Sequence, residues 1–262
     1  MRAVPAAVGA FVFAASAALA VVTGFPAAAQ GTDVPAAAPL DRAAVETIVR
    51  EYLLANPEVL QEAYAALESK QAAAEQARRT AAISDQRDVI FDSTRQVVLG
   101  NVDGEVTLVE FFDYNCGYCK RAMGDLVRLL KERPEVRVVL KEFPVLGRGS
   151  TEAAQVAIAV NAVAPERYLD FHLALLSHEG PVDRAAALDA AETLGLPIDK
   201  LSEAMTSPVV SETIEEVYGL ATALGINGTP SYVIGDKVLV GAVGYDTLIA
   251  DVDDACAGTT SC

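Results

Sequence analysis

Two cysteines two residues apart, in Cys116-Gly117-Tyr118-Cys119, stand where strand-forming sequence gives way to helical spacing. Val106 to Phe112 is dense in Val, Leu and Phe, which suit a pleated, largely buried surface. From Cys116 onward, Leu126, Leu129 and Leu130 recur at helical intervals, leaving Lys120, Arg121, Arg128 and Lys131 for the solvated side. The pair therefore falls at a helix N-terminus, where unpaired backbone N–H groups and the positive end of the helix dipole stabilise an anion. The anion available there is the Cys116 thiolate. Such a thiolate can attack a disulfide, and Cys119, one turn further in, can attack the resulting mixed disulfide and release the product.

Other uses of the pair find less support in the residues around it. A structural zinc site needs a second ligand pair, but the remaining cysteines, Cys256 and Cys262, are not at ligand spacing, and neither His172 nor His178 has a partner at such spacing. No metal site and no cofactor is assigned. Covalent haem attachment needs a His after the second Cys, where Lys120 stands. A purely structural disulfide stays open, as does a copper(I) site, since soft thiolates suit that ion. Cys256 and Cys262 read as a tail staple, because no strand-to-helix step surrounds them.

The chain begins with one charge, Arg2, an apolar Ala-rich run through Val22, and Ala27-Ala28-Ala29 before Gln30. That pattern predicts a secretory signal peptide over 1–29 with a small-residue cleavage site, an uncleaved anchor being the alternative. Export to an oxidising compartment is what permits disulfide chemistry, so signal and cysteine pair support one another. The net charge is −16 over 262 residues, and loss of Arg2 with the signal makes it −16 − 1 = −17. Such acidity argues against nucleic acid and anionic membrane surfaces as partners.

Residues 30–40, rich in Pro and Ala, predict a disordered leader. Asp41 can cap a helix with Val45, Ile48, Val49, Tyr52 and Leu53 on one face, and Asn56-Pro57 can start a second carrying Val59, Leu60, Tyr64 and Leu67. Two short helices cannot bury that many large apolar residues against each other, so 41–67 predicts self-association. Beyond Leu67 only alanines face inward, and Gln71 and Arg78 break a coiled-coil register, which predicts a solvated spacer to about Ser84. We therefore read 41–92 as oligomerisation region and spacer, and 93–262 as the main domain.

Within that domain, a strand at 96–99 precedes Val106–Asp113, the cysteine helix follows, and Val136–Phe143 forms the next strand before Pro144. Strand, helix, strand implies parallel neighbours with a right-handed crossover. Five helical stretches then fill about 150–224, an inserted block. After it, Ser231–Ile234 and Lys237–Val240 form a hairpin around Gly235-Asp236, and a last helix runs from Tyr245 to Ala255.

Three motifs in this frame carry a family resemblance. Glu-Phe-Phe-x-x-x-Cys-x-x-Cys at 110–119, Lys-Glu-Phe-Pro-x-Leu-Gly at 141–147 and Gly-x-x-Gly-Thr-Pro at 225–230 resemble the thioredoxin-fold disulfide oxidoreductases of the DsbA type, over about residues 93–256. Leu-Leu-x-Asn-Pro-Glu-Val-Leu at 53–60, a shorter match, resembles the appendage of the suppressor-of-copper-sensitivity C (ScsC) branch. The expected fold is α/β, thioredoxin-like, with an inserted helical block and an N-terminal helical appendage.

The resemblance implies an attacking role for Cys116 and a resolving role for Cys119. It places Thr229 and Pro230 on the loop facing them, the proline held in cis and the preceding backbone offered to an extended peptide. Glu110 matches a buried carboxylate of the family, and Lys141 on the neighbouring strand is a candidate to pair with it in a proton relay for Cys119. Gly117 and Tyr118 differ from the Pro-His of the best-known oxidants, so the redox balance they tune does not carry over. The expected activity is thiol:disulfide exchange, as oxidase, isomerase or reductase, in the periplasm. Its expected partners are exported cysteine-containing proteins, a membrane redox protein and further copies of the chain.

Overall fold

The computed structural model describes residues 41–257. The expected signal peptide over 1–29, the expected leader over 30–40 and Cys262 lie outside the described residues. The described residues divide into two units, with the boundary between Val59 and Leu60. In the first, helix α1 (Arg42–Ala55) is capped by Asp41, whose carboxylate accepts the Ala44 N–H at 2.7 Å. No residue of α1 is buried, and Val45, Ile48, Val49 and Tyr52 are all exposed. Helix α2 (Glu58–Asp85) starts after Asn56-Pro57 and, within the second unit, exposes Leu60, Tyr64 and Leu67.

The far end of α2 departs from the solvated spacer that its sequence predicts. Ile83 is 3% exposed and belongs to a core cluster with Ile90, Phe91, Leu220, Leu224 and Ile226. One β-branched residue in an Ala-rich helix carries no periodic signal, yet burying it is worth about 1.5–3 kcal/mol. A short helix, α3 (Arg87–Phe91), follows and delivers Ile90 and Phe91 to the same cluster.

The sheet has strands β1 (Val97–Gly100), β2 (Val106–Phe112), β3 (Val136–Glu142), β4 (Ser231–Ile234) and β5 (Lys237–Val240), in the order β1-β3-β2-β4-β5. β2 and β3 are parallel neighbours and the other pairs are antiparallel. Between β2 and β3 runs α4 (Gly117–Glu132), whose buried residues Cys119, Ala122, Leu126 and Leu129 recur every three or four positions along one stripe.

The helical block comprises α5 (Arg148–Val163), α6 (Tyr168–Ser177), α7 (Arg184–Thr193), α8 (Ile198–Ala204) and α9 (Pro208–Leu224), and α10 (Tyr245–Ala257) closes the described chain. Between α5 and α6 the chain makes a 3-10 turn at Pro165–Arg167, which leads directly into α6. At the end of α9, Gly225 takes the left-handed conformation (φ 66°) that turns the chain toward Thr229.

Strand alternation splits the interior in two. Leu108 and Phe112 of β2, Val138 and Leu140 of β3 and Tyr232 of β4 face a core shared with α4, α5, α6 and α10. Val109 and Phe111, with Val139 and Val233, face the other core, under α3, α9 and Ile83. Glu110 therefore shares the α4 side with Leu108 and Phe112, while Lys141, in register with Phe111, lies on the opposite side. The expected Glu110–Lys141 pair does not form. In the pairing β2 to β3, Glu110 stands beside Leu140, and a one-residue offset is enough to put two charged side chains on opposite faces.

Candidate functional site

Cys116 is the N-cap residue of α4, with extended backbone (φ −78°, ψ 114°). Its N–H bonds to the Asp113 carbonyl and its own carbonyl accepts the Lys120 N–H, each at 3.0 Å. The thiol sulfur is thereby held at the helix start, where the first N–H groups have no intrahelical partner. Both Cys116 and Cys119 are free thiols. Both are also buried, at 6% and 1% exposure, so Cys116 is the more accessible sulfur by a small margin.

The Thr229-Pro230 peptide bond is cis. The Cys116 thiol donates to the Thr229 carbonyl at 3.2 Å, which brings the loop after α9 onto the reactive sulfur across 113 residues of chain. That contact uses a backbone acceptor one residue before a proline, which has no N–H of its own.

Cys119 sits one turn below. Burial pushes its thiol well above the ordinary range, with the Cys116 sulfur as its hydrogen-bonding neighbour and the Glu110 carboxylate adding to the rise. Glu110 is itself 6% exposed, among Leu108, Ala122, Leu126, Leu129, Tyr232 and Leu248. Desolvation, and secondarily the charge of Asp125, raises its carboxyl to about 8, so near neutral pH it holds a proton or releases one for little free energy. Lys141 is fully buried on the other face, where its ammonium donates to the Val89 carbonyl of α3 at 2.9 Å. Burial lowers it to about 8, and its bond is to α3, away from the cysteines' face of the sheet.

Several polar groups around the pair have no counterpart in the sequence reading. The Asp113 carboxylate accepts the N–H of Asn115 at 2.8 Å and of Leu146 at 3.0 Å, tying the cysteine turn to the loop after β3. Glu142 is buried and its Oε1 accepts from Tyr168 at 2.7 Å and Tyr114 at 3.2 Å. The Tyr114 hydroxyl also meets His172 Nδ1 at 3.2 Å. Desolvation raises Glu142 to about 8 and lowers His172 to about 3, so the histidine is neutral. These partners lie 26 to 58 residues apart, beyond the reach of any local pattern. The one available signal was His172, between Phe171 and the apolar run Leu173-Ala174-Leu175-Leu176.

Tyr118, between the cysteines, is 59% exposed, and the Arg121 guanidinium lies 4.2 Å from its ring centroid. Cys256 is disulfide-bonded, and the fourth cysteine, Cys262, lies outside the described residues. Among the described residues, no group of three or more His, Cys, Asp or Glu side chains is placed to hold a metal ion.

Comparison with known proteins fits this geometry. A model of the DSBA-like thioredoxin domain matches residues 107–253, which take in strands β2 to β5, the cysteine helix and the inserted block but not the edge strand β1. The chain belongs to the DsbA-like thioredoxin family. A model of the copper resistance protein ScsC N-terminal domain matches residues 41–74, so the DsbA-like domain follows an ScsC-type N-terminal segment. Among solved structures, a thioredoxin-like oxidoreductase from Silicibacter pomeroyi DSS-3 is 40% identical, with TM-score 0.64, covering 66% of this chain and 99% of that one.

A linker-deletion mutant of Proteus mirabilis ScsC is 31% identical with TM-score 0.65, over 86% of this chain and all of that one. The likeness to ScsC thus extends into the N-terminal helices. A curated relative, Na(+)/H(+) antiporter NhaA 1 of Salinispora arenicola, is 30% identical over 173 residues, 65% of this chain. The chain spans only about a quarter, 26%, of that protein's length. The DsbA-like family is one of thiol-disulfide oxidoreductases, and the fold here is its thioredoxin fold, a mixed sheet with an inserted helical block. Among the described residues, no helix is long and apolar enough to cross a membrane.

Proposed function

We propose that the protein is an exported, periplasmic thiol:disulfide oxidoreductase in which Cys116 attacks and Cys119 resolves. The observation that carries the reading is the Cys116 sulfur, held at the N-terminus of α4 and in contact with the Thr229 carbonyl, above a more deeply buried Cys119. The Cys116 thiolate attacks one sulfur of a substrate disulfide and expels the other as a thiolate. The Cys119 thiolate then attacks the Cys116 sulfur, releases the substrate's second thiol and leaves a Cys116–Cys119 disulfide, so two electrons pass to the substrate. Run backwards, the same steps oxidise a dithiol.

In this reading Glu110 takes the proton that Cys119 loses on attack. It is on the same side of the sheet as Cys119, raises that thiol's affinity for its proton, and is itself balanced near neutrality. The Thr229-Pro230 loop receives the substrate chain, with the Thr229 carbonyl free to bond a substrate N–H once the thiol has reacted. Gly117 and Tyr118 tune the balance between dithiol and disulfide. Substrates are exported proteins with cysteines, and a membrane redox protein resets the pair.

We further propose that residues 41–67 assemble several copies, because α1 and the start of α2 expose apolar residues at helical spacing. Several active sites on one hub raise the local concentration of Cys116 around a misfolded substrate, which favours isomerase or reductase work. The reduced pair as a copper(I) carrier is the competing reading. Exchange with a disulfide-bonded model peptide in metal-free buffer separates the two. Turnover that needs no copper supports the oxidoreductase, and absence of turnover alongside tight copper(I) binding by the dithiol overturns it.

A further inference from the structure

The cysteine motif is stitched along its length to one short segment of the helical block. Asn115, immediately before Cys116, pairs with Val182 as a strand would: its Oδ1 accepts the Val182 N–H at 2.7 Å and its Nδ2 donates to the Val182 carbonyl at 2.8 Å. The same Nδ2 donates to the Ser150 hydroxyl at 3.0 Å. Lys120, immediately after Cys119, extends its ammonium to the His178 carbonyl at 2.7 Å and the Gly180 carbonyl at 3.3 Å. One turn on, the Ser177 hydroxyl donates to the Met123 sulfur at 3.7 Å. Positions 115, 120 and 123 thus meet 182, 178–180 and 177 in antiparallel order.

Packing tightens this seam from behind. A Cβ on Gly149 would lie 3.3 Å from the Val182 carbonyl oxygen and 3.9 Å from Asn115 Nδ2. A side chain at residue 149 would crowd the start of α5 against the seam, by a few tenths of an ångström at the Val182 carbonyl. Lys120, which its helix register assigns to the solvated face, is instead committed to carbonyls that have no helical partner of their own.

We propose that Asn115 and Lys120 are positioning residues, through which segment Ser177–Val182 fixes the start of α4 and so sets the redox balance of the cysteine pair. A thiolate at a helix N-cap is stabilised only while the first N–H groups of the helix point at it, a condition that depends on the residues flanking the cap being held. The seam holds both flanks, and a fixed cap favours the reduced, thiolate form over the disulfide. The helical insertion therefore acts on the chemistry without touching the sulfurs. This inference rests on Cys116 and Cys119 being the exchanging pair.

The test uses the full mature chain with Asn115→Ala, Lys120→Met, Lys120→Arg and Gly149→Ala. The readouts are the equilibrium with glutathione, the rate of Cys116 alkylation at mildly acidic pH, and the thermal midpoint. Asn115→Ala is expected to slow alkylation by about threefold, the scale of helix-terminus interactions. It should also move the glutathione equilibrium about tenfold toward the disulfide, about 30 mV for a two-electron couple.

Lys120→Met should shift both in the same direction, Lys120→Arg should restore them, and Gly149→Ala should give a smaller shift of the same sign. A direct charge effect of Lys120 would vanish at about 1 M salt, whereas the positioning effect persists. If Asn115→Ala does not fold, the two Lys120 variants decide the matter. A lower thermal midpoint with unchanged equilibrium and alkylation rate overturns the proposal, as does a Lys120→Met effect that salt abolishes. If the wild type itself exchanges no disulfide, the reading of the pair fails instead.

Discussion

Residues 110–142 bury polar side chains and residues 45–67 expose apolar ones. Both regions invert the usual rule, and each inversion indicates use. Around Cys119, Glu110 and Glu142 lie under the sheet's α4 side at or below 6% exposure. Their desolvation is tolerated because one is balanced close to its neutral form and the other accepts two tyrosine hydroxyls. On α1 and the start of α2, Ile48, Tyr52, Leu60 and Tyr64 stand more than half exposed. Apolar surface left in water is matched to another surface, and polar groups taken out of water are matched to chemistry or to one another.

The largest effect should come from charging the apolar stripe. Leu60→Glu, Tyr64→Glu and Leu67→Glu together are expected to convert the proposed assembly to monomers by light scattering while the DsbA-like domain keeps its thermal midpoint. A wild-type chain that is itself monomeric would show that these helices serve something other than self-association.

Next is Glu110→Gln, which removes the proposed proton acceptor and should slow resolution of the mixed disulfide by about 100-fold, the lower range of general acid–base effects. It also has a stability signature. A carboxyl raised from 4.5 to about 8 favours folding at low pH, and that stability is lost as pH rises through this window. Glu110→Gln should therefore abolish a loss on the order of a few kcal/mol between those values, read as the urea midpoint against pH. An unchanged pH profile would show that Glu110 is ionised in the fold.

His172 runs the other way. Burial lowers it from 6.5 to about 3, so the folded state binds fewer protons than the unfolded one and stability falls as pH drops through that range. His172→Phe is expected to flatten this acid limb, with a loss of about 1 kcal/mol at neutral pH for the bond to Tyr114. Smallest of all, Lys141→Met should leave the exchange rate unchanged, because its ammonium bonds to α3 on the far side of the sheet. A slowed exchange there would reinstate a relay through both faces.

The parts legible in the sequence were those written in local periods. Val106 to Phe112, the leucines of α4 and the cap at Asp41 each signal their element within a few residues, whereas Asn56, expected to cap the second helix, closes α1 instead, its Nδ2 donating to the Tyr52 carbonyl at 2.9 Å. Which face Lys141 takes was not legible, because it depends on the offset between two strands that nothing within either strand states. Ile83 was hidden for a related reason: its partners Leu224 and Ile226 arrive from 141 and 143 positions later, and a lone isoleucine among alanines makes no stripe. Glu142, Tyr114, Tyr168 and His172 were missed because three separate stretches of chain, the end of β3, the turn after β2 and helix α6, supply one network. The cysteine pair itself was visible because strand end, spacing and helix start are contiguous.

The division of labour within that pair is the claim on which the rest depends, and trapping the mixed disulfide tests it most directly. Cys119→Ser and Cys116→Ser variants are each incubated with a disulfide-bonded peptide, quenched with acid, and the adducts mapped by mass spectrometry. The account predicts a stable adduct on Cys116 in Cys119→Ser and none on Cys119 in Cys116→Ser. An adduct that forms as readily on Cys119 would contradict it.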